Sequence, residues 1–143
     1  MTETQQLADL LLSAIPDAVV VADKNGRITP WSRGAVRIFG YTQDQAVGQT
    51  LDLIIPERLR QRHWEGYDRV MGGAPSKYGD GDMLAVPAIR ADGETISIEF
   101  TVAVVEPNGD RLIGAVIRDV TERWQREREM RKRLAELEGP DAS

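Results

Sequence analysis

Residues 94–105, with the sequence ETISIEFTVAVV, determine which class of fold this chain can adopt. Apolar side chains occupy every second position: Ile96, Ile98, Phe100, Val102 and Val104. Successive side chains of a β-strand point to opposite faces, so this pattern predicts a long strand with one buried face. A sheet that is buried on one face and solvated on the other is typically antiparallel.

Turn sequences flank this strand on both sides and extend the prediction outward. Ala91-Asp92-Gly93 precedes the strand, and residues 107–110 (Pro-Asn-Gly-Asp) follow it. Glycine, asparagine and aspartate favour tight turns, so the neighbouring segments 83–90 and 111–119 are predicted as strands of a meander. From residue 121 to about residue 137, the charged composition and apolar spacing predict a helix.

The first half of the chain predicts two strands and a run of helices. Residues 18–22 are rich in β-branched side chains, and residues 27–31 follow the turn sequence Asn25-Gly26, so both segments are predicted as strands. Pro30 donates no ladder hydrogen bond, which requires a sheet edge or a bulge there. Apolar spacing, caps and helix stops predict helices over residues 4–14, 33–39, 42–48 and 56–72. This order of helices and strands predicts an α+β fold with an antiparallel sheet.

The composition excludes several kinds of function. The chain has 143 residues, a formal net charge of −5 and no cysteine. Disulfides, thiolate metal ligands and cysteine nucleophiles are therefore excluded. An acidic chain repels phosphate groups, so no nucleic-acid binding is expected. No apolar run approaches the roughly 20 residues of a membrane helix and no signal-peptide pattern is present, so we expect a cytoplasmic protein with no membrane contact.

Several short motifs occur here in the order and spacing of one known family. They are Ile15-Pro16-Asp17-Ala18, residues 23–28 (DKNGRI), Phe39-Gly40-Tyr41, Gly48, Ile55-Pro56, residues 90–93 (RADG) and residues 118–123 (RDVTER). Together they resemble the PAS family over residues 7–123. The resemblance implies a five-stranded antiparallel sheet of order 2-1-5-4-3, with helices that enclose a ligand pocket on one face. It also implies a sensory domain of bacterial signal transduction and not an enzyme.

One position departs from the family pattern. Many relatives have asparagine after the tryptophan of the second strand, whereas here Ser32 follows Trp31. This difference predicts the loss of a turn contact but not of the fold.

His63, the only histidine, lies on the apolar stripe of the predicted helix 56–72, together with Leu59 and Tyr67. It stands seven residues after Pro56, and this segment resembles the FixL-type haem-binding oxygen sensors. The resemblance implies that haem b is bound with His63 as the iron ligand, for sensing a diatomic gas or a redox state. No pattern indicates a catalytic site around His63.

The same resemblance implies further residues of a haem site. Arg69 and Lys77 stand six and fourteen residues after His63, where FixL-type sensors have propionate partners. Their distal arginine corresponds to Met83 or Leu84, neither of which donates a hydrogen bond to bound oxygen; Met83 is instead a candidate sixth ligand, as in the enterobacterial direct oxygen sensors. The remaining predicted pocket residues are Tyr67, Ile98 and Ile117.

Other interpretations of the pocket stay open. A lone histidine on an apolar helix face is commonly a core residue, and PAS domains without haem also carry a histidine here. The chain would then be a non-haem interaction module that binds another ligand, such as non-covalent flavin, or none. Flavin photoadducts and coumaroyl chromophores need a cysteine and are excluded. Tyr67 and Trp31 suit core or interface packing, and Trp64 is predicted to point off the apolar stripe.

The terminal helices predict how a signal would leave the domain. Residues 120, 123, 127, 130, 134 and 137 step by three and four, which is a heptad rhythm. Paired with a second copy, or with the N-terminal helix, this helix would form a homodimer; the alternative is that it packs on its own sheet. We expect an N-terminal helix over 1–16, a sensor core over 17–120, and a signalling helix and tail over 121–143. The partner that reads this helix would be a separate signalling output protein.

Overall fold

The strand predicted from the alternating pattern is the longest of five strands in the computed structural model, which describes residues 2–73 and 84–138. The strands are β1 (Ala18–Ala22), β2 (Ile28–Trp31), β3 (Leu84–Ile89), β4 (Thr95–Val105) and β5 (Leu112–Asp119). The helices are α1 (Glu3–Ala14), α2 (Arg33–Phe39), α3 (Gln43–Ala46), α4 (Glu57–Met71) and α5 (Thr121–Glu138). Two short 3₁₀ turns cover Leu51–Leu53 and Pro107–Gly109.

The five strands form one antiparallel sheet in the order β2-β1-β5-β4-β3, which confirms the predicted α+β fold and strand order. The two proline-containing strands, β2 with Pro30 and β3 with Pro87, are the two edge strands. The register of β1 against β2 also shifts between Val20 and Ala22. Proline is tolerated at these places because an edge strand leaves part of its backbone without a ladder partner.

The inner face of the sheet is closed at one end and more open at the other. On β4, Ile96 and Ile98 are buried, at 5% and 4% exposure, whereas Phe100 is only partly buried. The register pairs Phe100 with Ile117 of β5, and the next pairs along the sheet are Val102 with Ala115 and Val104 with Ile113. The members of these next two pairs are all partly exposed. The apolar face therefore continues beyond the sealed core.

Helix α2 seals the closed end, and it approaches the start of β1 closely. The Ser32 hydroxyl caps α2 by accepting from the backbone N–H of Ala35 at 3.3 Å, and it also accepts from the N–H of Val19 at 2.8 Å. Ser32 thus makes turn contacts of its own, although the replacement of the family's asparagine by serine predicted the loss of a turn contact. At Gly34, a methyl group would overlap the backbone of Pro16 and Asp17.

The last strand and the last helix meet in a compact joint. The Asp119 carboxylate accepts from the N–H of Thr121 at 2.9 Å and from its hydroxyl at 2.6 Å. The same hydroxyl oxygen accepts from the N–H of Ser97 on β4 at 3.0 Å. Arg118 pairs with Asp17 at 3.2 Å, which ties the end of β5 to the start of β1. These contacts hold the start of α5 to β4 and the residue before β1 to β5.

Both terminal helices expose apolar side chains. A complete capping box between Thr2 and Gln5 starts α1, yet Leu7, Leu10 and Leu11 are each more than half exposed. On α5, Met130, Leu134 and Leu137 are also more than half exposed. Among the residues that the structure describes, no helix is long and apolar enough to cross a membrane.

Two glycines in helices are predicted to respond oppositely to alanine. Gly34→Ala places a methyl group on the backbone of Asp17, and we expect a loss of about 1–3 kcal/mol from overpacking. Gly66→Ala adds its methyl on α4 where the nearest group is the flexible end of Arg69 at 3.9 Å, and we expect a gain of about 0.5–1 kcal/mol. Urea unfolding of both variants checks this, and a Gly34→Ala variant as stable as the wild type would contradict the close approach.

Candidate functional site

Helix α4 carries His63 and is attached to the rest of the domain by side chains that donate to backbone carbonyls. The Tyr67 hydroxyl donates to the carbonyl oxygen of Asp23, just beyond β1, at 2.5 Å. Arg111, one residue before β5, donates to the carbonyl oxygen of Val70 at 3.0 Å and pairs with Glu106 at 3.1 Å. These attachments place the C-terminal half of α4 where β1 ends and β5 begins, which is the open end of the inner face.

The N-terminal half of α4 is attached to the 3₁₀ turn Leu51–Leu53. Arg60 donates to the carbonyl oxygens of Ile55 and Asp52, at 3.0 and 3.3 Å. The indole N–H of Trp64 donates to the Asp52 carboxylate at 2.7 Å. The Trp64 ring lies against Gly26, where a methyl group would overlap it. The prediction that Trp64 points off the stripe is therefore incomplete, because the side chain is half-buried in a polar and glycine-lined corner.

The imidazole of His63 is packed between two aromatic rings. Its centroid lies 4.7 Å from that of Trp64, with the planes at 77°, and 5.6 Å from that of Tyr67. Its Nδ1 atom is buried and has no hydrogen-bond partner among residues 2–73 and 84–138. A buried polar atom without a hydrogen-bond partner carries a free-energy cost, and such atoms are uncommon in native proteins.

Burial controls the protonation of this histidine. Desolvation lowers the pKa of His63 below its ordinary value, and it outweighs the opposing effect of the Asp52 and Asp68 carboxylates, which raise it. The neutral imidazole is consequently favoured at neutral pH. A neutral imidazole is the form that ligates a metal ion.

The surroundings of His63 suit a haem iron better than a bare metal ion. Within the described part of the chain, no cluster of three or more His, Asp or Glu side chains could hold a bare metal ion. A haem iron already has four porphyrin nitrogens and needs only one or two axial ligands from the protein. A single neutral histidine therefore fits haem as an axial ligand. The nearby carboxylates of Asp52 and Asp68 are acidic and supply no cation for the haem propionates.

The structure brings together only part of the predicted site. Arg69 is exposed, and its guanidinium lies along α4 near Gly66. Lys77 and Met83 fall outside the described residues. Leu84 begins β3, where its backbone pairs with Phe100. Ile98 and Ile117 are buried at 4% exposure in the core cluster that includes Trp31 and Phe39, and Ile117 lies at the boundary with the open end, where it pairs with Phe100.

The sequence reasoning missed the residues of the open end of the inner face. Phe100 and Ala115 are partly exposed and pack against the core cluster, and Val102 continues their row. The alternating pattern placed Phe100 and Val102 on the inner face, and that pattern was the available sign. It did not show where the cover of the sheet stops, because that depends on how far α2 and α4 reach along it.

Comparison with known proteins establishes the family. The model of the PAS domain family matches residues 16–122, which is most of the chain. The chain therefore belongs to the PAS domain family. It is 30% identical over 128 residues to the sensor protein FixL of Bradyrhizobium diazoefficiens, which covers 89% of this chain and 25% of FixL. It is 24% identical over 102 residues to the oxygen sensor protein DosP of Escherichia coli, which covers 71% of this chain and 13% of DosP.

Solved structures agree on the fold. A PAS domain from Colwellia psychrerythraea superposes with a TM-score of 0.68 at 18% identity, over 84% of this chain and 99% of that one. The PAS domain of an HTR-like protein from Haloarcula marismortui gives a TM-score of 0.66 at 21% identity, over 82% and 92%. The chain spans about a quarter of the length of FixL and less of DosP. It is thus similar to one part of each of these longer proteins.

The lowered pKa of His63 predicts a specific dependence of stability on pH. The unfolded chain takes up a proton as the pH falls through 6.5, whereas the folded chain does so only at lower pH. The contribution of His63 to stability is therefore complete above that pH and is lost on acidification, at no more than about 1.4 kcal/mol per pH unit. Urea unfolding of the wild type between about pH 8 and pH 5.5 should show this loss, and His63→Gln should show a flatter profile. Equal profiles would mean that His63 is not desolvated.

Proposed function

We propose that this chain is the sensory domain of a bacterial signalling protein and that it binds haem b through His63. The observation that carries the proposal is the half-buried imidazole of His63, whose buried Nδ1 atom has no hydrogen-bond partner among the described residues, on a helix attached where β1 ends and β5 begins. Membership of the PAS family supports a sensory role. Similarity to proteins named as a sensor and as an oxygen sensor supports a diatomic gas as the stimulus, with a redox change as the second possibility.

Each residue of the proposed site has a distinct role. His63 supplies the iron ligand, while Phe100, Val102 and Ala115 supply an apolar wall. Arg69 supplies a cation for a propionate, Lys77 and Met83 are proposed contacts from the segment between α4 and β3, and Leu84 is a proposed contact at the start of β3. Haem would provide an iron that binds a diatomic gas or changes oxidation state. The residues of this chain would position the haem and exclude water from it.

Haem titration with optical absorption tests this proposal. We expect the purified wild type to take up haemin stoichiometrically, with a sharp Soret band that shifts on reduction and again with carbon monoxide. His63→Gly should lose the specific band and should regain it when imidazole is supplied in solution. Arg62→Ala, an exposed change one residue away on the same helix, is the matched control and should behave as the wild type.

Two results would contradict haem ligation by His63. The first is a wild type that gives only the broad band of non-specifically adsorbed haem. The second is a His63→Gly variant with an unchanged band. In either case the chain is better described as a non-haem PAS interaction module, whose ligand would be non-covalent flavin, another small molecule or none.

We further propose that the chain forms a homodimer through its terminal helices and acts on a separate output protein. Leu7, Leu10 and Leu11 form an apolar stripe on a helix with well-formed caps, although each is 56–66% exposed. Leu134 and Leu137 on α5 are exposed by 55% and 78%. Isolated helices of this length are marginal in water, so such helices gain most of their stability by packing. Residues 1–16 and 121–143 would then flank the sensor core 17–120.

The dimer is testable by analytical ultracentrifugation. We expect the wild type to associate at micromolar concentration and Leu10→Glu to shift the equilibrium at least tenfold towards monomer, because it places a charge in the stripe. Gln5→Glu adds the same charge on the opposite face of the same helix and keeps the side-chain oxygen that caps Thr2, so it should leave association unchanged. A wild type that stays monomeric at all accessible concentrations would contradict the dimer.

A further inference from the structure

We propose that Trp64 is a positioning residue, held between Gly26 and the Asp52 carboxylate, which fixes the orientation of the His63 imidazole. Nothing in the family motifs singles out Trp64. The inference rests on the proposed function in one respect: the orientation of the imidazole affects function only if His63 binds a ligand. The contacts from which the inference is drawn are all between residues of the protein and involve no ligand.

The first contact is between the Trp64 ring and Gly26. Gly26 lies in the β1–β2 turn with a φ of 74°, and its missing side chain is the space that the ring occupies. Any Cβ at this position would overlap the Cη2 and Cζ3 atoms of the indole. A glycine is thus needed at position 26 for two reasons. It adopts the left-handed backbone conformation, and its lack of a side chain leaves the space, or seat, that the Trp64 ring occupies.

The second contact is the hydrogen bond from the indole N–H to Asp52. At 2.7 Å it is short, as expected for a bond to a charged acceptor. The segments that contain Asp52 and Gly26 are bonded to each other. The N–H of Leu51 donates to the carbonyl oxygen of Gly26 at 3.1 Å, and the backbones of Arg27 and Thr50 form an antiparallel β-bridge. The two sides of the seat therefore form one corner of the fold. The same unit thus holds Trp64 at the outer atoms of its six-membered ring and at its N–H.

The third contact passes this restraint to His63. The two rings meet edge to face, with centroids 4.7 Å apart and planes at 77°. Tyr67 contacts both rings, at 5.6 Å from His63 and 5.2 Å from Trp64, and its own hydroxyl is tied to Asp23. The Nδ1 atom of His63 has no hydrogen-bond partner in the described ranges 2–73 and 84–138 that could orient the ring. The orientation is therefore set by aromatic packing, and Trp64 is the member of that packing with two anchors.

Nuclear magnetic resonance tests this inference without any ligand, because the chain has a single histidine and thus one set of imidazole signals. The probes are the chemical shifts of the His63 ring protons, which the neighbouring rings displace, and the cross-relaxation between His63 and Trp64. We expect Asp52→Ala to move the His63 ring shifts towards those of the unfolded chain and to weaken the cross-relaxation. Asp52→Asn retains an oxygen acceptor for the indole N–H and should restore both.

Asp68→Ala is the matched control, since Asp68 and Asp52 both act electrostatically on His63 but only Asp52 accepts from the indole. It should leave the ring shifts near the wild-type values. Trp64→Phe keeps an aromatic ring and removes the N–H, so it should behave as Asp52→Ala does. The indole signal of Trp31, whose N–H donates to the Tyr41 carbonyl, reports whether each variant is folded. Gly26→Ala would place a methyl group against the Trp64 ring from the side opposite Asp52, and it should displace the same His63 ring signals.

The outcomes separate the two proposals. Ring shifts that respond equally to Asp52→Ala and Asp68→Ala, or to neither, in folded variants would overturn the positioning role. If the wild type binds haem, Asp52→Ala should also shift or broaden the iron–histidine vibration in resonance Raman spectra, and Asp52→Asn should restore it. A wild type that takes up no haem would overturn the proposed function, while the ring shifts would still decide the role of Trp64.

Discussion

Helix α4 depends on a small set of polar attachments, and the candidate site depends on α4. Tyr67 and Arg111 hold its C-terminal half to the sheet end, while Trp64 and Arg60 hold its N-terminal half to the turn around Asp52. Hydrogen bonds are directional and short-ranged, so they fix the height and rotation of the helix more sharply than apolar contact does. The helix is thereby held where β1 ends and β5 begins.

This arrangement separates a fully buried part of the inner face from a part that is less completely covered. The sealed core around Ile98, Ile117 and Phe39 stabilises the domain. The open end around Phe100 is only partly buried. The joint at Thr121 is bonded to Ser97 on the same strand as Phe100, so a change in β4 has a direct covalent and hydrogen-bonded path to α5. A ligand acts along such a path only through its different affinity for the two states.

The sequence predicted the elements well because local rules govern them. Alternation predicted β4, and Pro30 indicated a sheet edge or a bulge, where the structure has an edge strand and a register shift. It predicted the site less completely. The contact of Trp64 with Gly26 joins positions 38 residues apart and has no periodic pattern to reveal it. Alternation also assigned Ile98 and Phe100 to one face, but only the placement of the covering helices separates the buried residue from the accessible one.

A ligand site between α4 and the open end of the inner sheet face is tested by hydrogen–deuterium exchange with and without haemin. We expect bound haem to slow exchange in residues 57–71 and in the part of β4 from Phe100 to Val104. Exchange in the sealed part of the sheet, around Ala18 and Ile96, should change little. Protection confined to α1, α5 or the outer sheet face, or no protection at a haemin concentration that saturates the absorption change, would contradict it.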